Sequence, residues 1–368
     1  KKMKIIFLIK GNLERNVPII TQIMVALEKK YEVSVICSKC DIKLFDLLEK
    51  KGAKIYCSSH NTFGTSIIKK VSDWYGVRKN FKEILHRIYT NRDILYIGSV
   101  DTALAMGKEI MKYPYILHIR ELYDTHPIYL KLMRPFAQSA KVVIIPEYSR
   151  AAILKCWLNL KKTPVVIPNK TYDHPRKRNI KIYNYDLNRM INSLSDKKIL
   201  LYQGHIGRDR GIKELIGSLM KNLDDNYVLV LMGQNHDGFV EELISKYPRV
   251  YHINHVPAPF HLQITSHAYI GLVTYDDSNL NNIFCAPNKI YEYSGFGIPI
   301  LGRDIPGLKY TIGNNNAGLC VDITNENEVQ QALREIDKNY NFYSENASKF
   351  FEDTDLEKLF GRIMKEFD

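Results

Sequence analysis

Nothing in this 368-residue sequence is long and apolar enough to cross a bilayer as a helix, which takes ~18 consecutive apolar residues. The stretch KKMKIIFLIKGN has only a short apolar run before Gly11 and Asn12, so it predicts a first β-strand and not a secretory leader. Cysteine is sparse. The six residues at 37, 40, 57, 156, 285 and 320 are scattered, and Cys37-x-x-Cys40 has no second pair or histidine cluster beside it. Free thiols in a reducing cytosol are therefore expected. The opening β-loop-α-β pattern lacks G-x-G-x-x-G, so a dinucleotide is not the expected ligand there. Internal repeats, low-complexity tracts and the familiar nucleic-acid motifs are missing too. Carboxylates do not gather into a metal site. Asp353-Thr354-Asp355 lies in a strandless helical tail, and Asp276-Asp277 follows a strand without histidine or further carboxylates nearby, so neither metal nor cofactor is expected.

The residues that are present, 45% hydrophobic and 25% charged, make a soluble globular composition. The length suits two domains of about 150–200 residues each. Apolar runs at 4–9, 32–37, 53–56, 94–97, 115–119, 141–145 and 164–167 alternate with helical patterns such as 18–30, 42–51 and 99–112, which predicts a parallel α/β unit. A second series follows, with strands at 198–203, 227–232, 250–253 and 269–273 between helices. The expected organisation is a first domain over 1–172, a polar and basic linker region over 173–196, a second domain over 197–340, and C-terminal helices over 341–368 packing back on the first domain.

The formal charge is +12. Between 60 and 92 stand seven basic residues (Lys69, Lys70, Arg78, Lys79, Lys82, Arg87, Arg92) against Asp73 and Glu83, interleaved with Trp74, Tyr75, Phe81 and Ile84. Such a stretch fits an anionic lipid surface. It fits equally well a solvated basic face.

The most informative stretch is APNKIYEYSGFGIPIL, residues 286–301. Pro287 opens a helical pattern through Lys289, Ile290, Glu292 and Tyr293, which breaks at Gly295 and Gly297 before a buried strand. A helix start offers unpaired N–H groups and a favourable dipole to an anion. Lys289 adds a charge there, and Glu292 can accept hydrogen bonds from sugar hydroxyls. An ordinary amphipathic helix between two strands would read the same. The pattern P-x-K-x-x-E-Y-x-x-x-G-x-P resembles the GT-B glycosyltransferases, in particular retaining transferases of family 4 in their P-N-K-x-x-E-Y subtype. By that resemblance Glu292 binds the nucleotide ribose, while Pro287, Asn288 and Lys289 face the donor diphosphate or sugar. Many relatives carry a further glutamate eight positions earlier, where this chain has Phe284. That departure leaves sugar recognition to backbone groups near Cys285 and Pro287 or to 279–282.

Other segments extend the resemblance. In the loop 204–211, from Gly204 to Gly211, the match is G-x-x-x-x-x-[K/R]-G, which implies that Arg210 holds the diphosphate. His205 stands where many members have arginine, and Arg208 is a substitute for it; both also fit a plain exposed loop. Val256 and Pro257 correspond to the part that flanks the base. Gly233 either lets a nucleotide approach or serves packing. The segment YILHIRELYD, 115–124, resembles D-x-H-E-L and puts Arg120 at the usual histidine position, with His118 two residues earlier on the same strand face. Either His118 supplies the imidazole, or Arg120 stabilises the leaving phosphate, or the site works without both; Glu121 would position the acceptor. Glu147 and Arg150 match a corner that faces the acceptor or braces the cleft, and Gly11 and Asn12 end the first strand on the acceptor side.

The resemblance implies an α/β GT-B fold: two Rossmann-like parallel-sheet domains facing a cleft, with a C-terminal helix crossing back to the first. It implies a retaining, metal-independent glycosyltransferase that moves sugar from a UDP- or GDP-sugar to a saccharide or lipid-linked saccharide, in bacterial surface polysaccharide or glycoconjugate synthesis. Its catalytic residues would be His118, Arg120, Glu121, Arg210 and Lys289. The basic stretch adds an anionic membrane surface as partner and a cytoplasmic, peripheral location; nucleic acid is not expected. Two other readings stay open. One is an epimerase or phosphorylase on the same fold. The other is a non-catalytic nucleotide-sugar-binding subunit, motivated by Arg120 and Phe284.

Overall fold

The computed structural model describes residues 3–58, 67–207, 210–235 and 238–368, with main chain only for 67–71. The chain divides into two compact units, Lys1–Pro168 with Asp355–Asp368, and Asn169–Thr354.

The first unit runs β1 (Lys4–Asn12), α1 (Val17–Glu28), β2 (Glu32–Lys39), α2 (Ile42–Lys50), β3 (Lys54–Cys57), α3 (Ile67–Ile88), β4 (Ile94–Ile97), α4 (Val100–Met106), β5 (Tyr115–His118), α5 (Pro127–Ser139), β6 (Val142–Ile145), α6 (Tyr148–Trp157) and β7 (Val165–Val166). Ile5 to Ile9 are all fully buried. A strand covered by helices on both faces needs such an unbroken apolar run, where a half-exposed one would alternate. The sheet order is β3-β2-β1-β4-β5-β6-β7, every pair parallel. Chain order switches sides at β1, so the carboxyl ends of β1 and β4 make the natural ligand-facing crevice of this sheet. Helix starts are capped locally. Asp41 accepts from the N–H groups of Lys43 and Leu44 at α2, and Ser99 from that of Thr102 at α4.

The second unit runs α7 (Tyr185–Asn192), β8 (Lys198–Gln203), α8 (Ile212–Met220), β9 (Tyr227–Met232), α9 (Phe239–Lys246), β10 (Val250–Ile253), α10 (His261–Thr265), β11 (Ile270–Val273), α11 (Leu280–Ile283), α12 (Lys289–Ser294), β12 (Ile300–Arg303), α13 (Pro306–Leu308), β13 (Gly318–Val321), α14 (Glu326–Lys338) and α15 (Tyr340–Asp353). Its sheet, β10-β9-β8-β11-β12-β13, is again parallel throughout. Successive strand residues fall into opposite cores. Ile199, Leu201, Val228 and Val230 join one with Tyr293 and Phe350, while Leu200, Tyr202, Leu229 and Leu231 join the other with Leu215 and Ile336.

The expected linker at 173–196 belongs to the body of this unit. Ile182, Ile191 and Leu194 enter its core. Two of its basic residues are tied to backbone: Arg176 Nε donates to the Gly295 carbonyl at 2.7 Å and Arg178 Nη2 to that of Ala268 at 2.5 Å. The helices expected to return to the first domain also divide. α15 stays in the second unit, stacking Phe350 on Tyr291 at 5.1 Å and donating from Ser344 Oγ to the Gly297 carbonyl at 2.6 Å. α16 (Leu356–Met364) belongs to the first, where it packs against α1 and sets Phe360 beside Tyr31. Among the described residues no helix is long and apolar enough to cross a membrane.

Candidate functional site

α12 is short, and the second unit fixes it in three places. Tyr293 Oη donates to the Leu201 carbonyl of β8 at 2.9 Å. Its ring lies so close over β11 that a Cβ on Gly271 would stand 2.4 Å from it. Asn169 Nδ2 donates to the Ala286 carbonyl at 2.8 Å, holding the loop that precedes the helix.

Glu292 is buried, and both its oxygens are held. His261 Nε2 of α10 lies 3.1 Å from Oε1, and Gln203 Nε2 at the end of β8 donates to Oε2. Thr265 Oγ1 in turn donates to Gln203 Oε1 at 2.7 Å, fixing the amide so that its NH₂ faces the carboxylate. Burial alone would raise the carboxyl pKa. His261, Gln203 and Lys289 outweigh it and lower the value below the ordinary one, so Glu292 is ionised at neutral pH. A carboxylate has about four acceptor positions, and these two partners leave room for further donors.

Lys289 lies one turn before Glu292. Burial, first, and then the Arg210 guanidinium push its ammonium down to about 7, with Glu292 and Cys285 opposing. Its Nζ stands 4.4 Å from the centroid of the Tyr202 ring and 5.6 Å from that of Tyr275, and Arg210 Cζ is 5.2 Å from the Tyr275 ring. Two cations thus share one aromatic wall at the carboxyl ends of β8 and β11. Gly204, at φ +121°, gives Lys289 its place, because a Cβ there would lie 3.1 Å from Nζ. Gly211 caps α8 at φ +67°. Gly233 is a packing glycine: an added Cβ would meet the Gly204 carbonyl at 1.8 Å, so it brings two loops together.

The remaining expected donor residues are less engaged. His205 is exposed, and its carbonyl accepts from Tyr202 Oη at 2.9 Å. Pro257 is exposed, Val256 packs against the core, Pro287 is buried and Asn288 caps α12 by its backbone alone. Arg208 lies outside the described residues. Asp276 is bound within its own turn by Ser278 and by Asn282 at 2.9 Å. Among the described residues no group of three metal-ligating side chains is present.

Sequence reasoning missed His261, Gln203 and Thr265, and also His174. His174 Nε2 donates to the Glu292 carbonyl at 3.0 Å, while its Nδ1 accepts the Arg176 N–H at 3.1 Å. The only signal available was that α10 follows the turn at 255–259, so its first residues sit beside the same sheet end as Glu292.

In the first unit, His118 ends β5 with 1% of its surface exposed. Its Nδ1 bonds Tyr96 Oη at 2.9 Å, and Nε2 has no hydrogen-bond partner among the described residues. Burial, then the Arg120 charge, lowers it to about 3, so it is neutral. Arg120 is more accessible and donates to Asn16 Oδ1 at 2.8 Å; Asn16 Nδ2 donates to the Asn12 carbonyl at 2.7 Å. Arg150, 3% exposed, donates to the Arg120 carbonyl at 2.6 Å and lies 3.5 Å from exposed Glu121. Glu147 caps α6 through the N–H groups of Ser149 and Arg150. These two brace the corner and leave little surface to a ligand. Gly11, at φ +102° with nothing within 4 Å of an added Cβ, donates its N–H to Ser38 Oγ at 3.0 Å.

The basic stretch is partly turned inward. Phe81 is core, Trp74 Nε1 donates to Asp101 at 3.1 Å, and Arg78 Nε donates to the Ala105 carbonyl at 2.8 Å. Tyr75, Lys79, Arg87 and Arg92 are exposed. His60 and residues up to 66 lie outside the described residues.

Residues 186–350 match the family model described as Glycosyl transferases group 1. Comparison with curated proteins gives no match. Among solved structures, the chain is similar to Anabaena HepE in complex with UDP and glucose, at 14% identity and TM-score 0.73 over 98% of each chain. It is similar also to sucrose-phosphate synthase from Thermosynechococcus elongatus, at 15% and 0.70 over 98% of each chain. A third is a glycosyltransferase from Rickettsia africae, at 14% and 0.69 over 100% of this chain and 98% of that one. The two parallel-sheet units have the GT-B glycosyltransferase fold.

Proposed function

We propose that this chain is a glycosyltransferase that moves a sugar from a nucleotide-diphospho sugar to a saccharide or lipid-linked saccharide. One observation carries the reading. Inside the segment that matches the group 1 model, an ionised, doubly held Glu292 stands one turn from Lys289, which shares an aromatic wall with Arg210. The carboxylate suits a ribose diol, and the two cations suit a diphosphate. As the sugar C1–O bond breaks, charge gathers on the departing phosphate oxygen. Cations fixed beforehand stabilise it without reorganising, which makes a metal ion unnecessary. HepE is bound to UDP and glucose, which favours a UDP-sugar donor here. Retention of configuration, family 4 membership and a role in surface polysaccharide synthesis follow from the sequence resemblance, and belong to the same proposal.

A thermal-shift titration with UDP, GDP, ADP, CMP and dTDP, with and without EDTA, tests it. A ligand that binds only the folded state stabilises by RT ln(1 + [L]/Kd). One nucleoside diphosphate should raise Tm regardless of EDTA, and no shift with any would overturn the reading. Arg210→Ala should lower turnover about 10²-fold or more, from a loss of ~2–4 kcal/mol of transition-state stabilisation, with the fold intact. Wild-type turnover would remove Arg210 from the mechanism.

In this proposal the acceptor sits on a lipid carrier at an anionic membrane face, which the exposed Lys79, Arg87 and Arg92 would meet. Absence of liposome binding at low salt would count against this. A second reading, a non-catalytic nucleotide-sugar-binding subunit, is favoured by the burial of His118. It requires tight nucleotide binding without turnover on any acceptor.

A further inference from the structure

Sequence spacing pairs Cys37 with Cys40, but strand register gives Cys37 a different partner. β2 and β3 run parallel with Cys37 directly opposite Cys57, and their sulfurs stand 3.8 Å apart. Neighbouring strands lie ~4.8 Å apart, inside the ~4.4–6.8 Å Cα window of a disulfide. Closure to a bond of about 2.05 Å asks for less than about 2 Å of sulfur movement, within reach of side-chain rotation. The two thiols differ in access: Cys57 is exposed and Cys37 buried. Cys40, half-buried at the turn before α2, points its thiol to the Asp41 carbonyl at 3.5 Å. Burial, first, and then the Cys57 thiol push the Cys37 pKa well above its ordinary value, so the exposed Cys57 meets an oxidant first.

We propose that Cys37 and Cys57 form a redox-modification site that a hydroperoxide closes to an intramolecular disulfide. In the first step the Cys57 sulfur attacks the peroxide, the O–O bond breaks, and sulfenic acid and one water (or alcohol) result. In the second, the Cys37 sulfur displaces the hydroxyl from Cys57, and its proton leaves with that hydroxyl as water. Two thiols lose two electrons and two protons, and the peroxide takes up both. The site lies at the carboxyl end of the first sheet, next to Ser38, whose Oγ accepts the Gly11 N–H.

The test uses the full chain, reduced, freed of reductant and titrated with hydrogen peroxide. Intact mass should fall by about 2 Da, and dithiothreitol should restore it. Non-reducing peptide mapping should recover a Cys37–Cys57 cross-link. Cys40→Ser should keep the loss of mass, and Cys57→Ser, at an exposed position, should abolish it. A cross-link through Cys40, or oxygen addition with no loss of mass, would overturn the proposal.

Discussion

His174 has its tautomer set from both sides. A backbone N–H donates to Nδ1, so the proton must sit on Nε2, which donates to the Glu292 carbonyl. Burial is the main reason that its pKa falls to about 4. The unfolded chain therefore takes up this proton first as pH falls, and stability is lost from about pH 6.5 down to about 4. The loss is about 3 kcal/mol. Urea unfolding at pH 7 and pH 4.5 should show a larger drop for wild type than for His174→Gln; equal drops would mean that the imidazole can charge where it stands. Lys289 has its own pH window. Its amine loses its charge as pH rises through about 7, so affinity for a nucleotide sugar should fall above that pH, by up to about tenfold per pH unit. Lys289→Arg, charged throughout, should bind with a flat profile in calorimetry. Glu292 and Lys289 stand out in the sequence because they share one local motif, and Arg210 because it belongs to another, at 204–211. Gln203, His261 and His174 do not, because they reach Glu292 from remote parts of the chain and only the folded sheet brings them to it.

Among the elements, α12 depends on the strand beneath it. Gly271→Ala would drive a methyl into the Tyr293 ring and loosen its bond to β8. Overpacking of this kind costs roughly 1–3 kcal/mol, so Tm should fall by several degrees. Gly217 is the contrast, since nothing lies within 4 Å of a Cβ added there in α8. Gly217→Ala should stabilise by roughly 0.5–1 kcal/mol through helix propensity. If both variants melt together, the packing of Tyr293 is not what holds α12. The strands were legible from their apolar runs. Glu147 caps α6, but glutamate is not among the residues that signal a helix start, so the cap emerges only in the fold.

At the scale of the molecule, the alternation of strands and helices fixed two parallel sheets in advance, while the boundaries were hidden. Two of the basic side chains in 173–196, Arg176 and Arg178, satisfy backbone carbonyls, and composition does not distinguish that from solvation. A nucleoside diphosphate should slow amide exchange chiefly in the second unit, near 203–211 and 286–293; protection confined to the first unit would put the donor elsewhere. α16 has a consequence of another kind. It completes the first unit, yet the ribosome makes it only after all of Asn169–Thr354. A nascent first unit must therefore wait with the α1 surface and Tyr31 uncovered, and its folding cannot finish in the order of translation. A fragment ending at Pro168 would carry that bare surface permanently, and should aggregate where the whole chain does not.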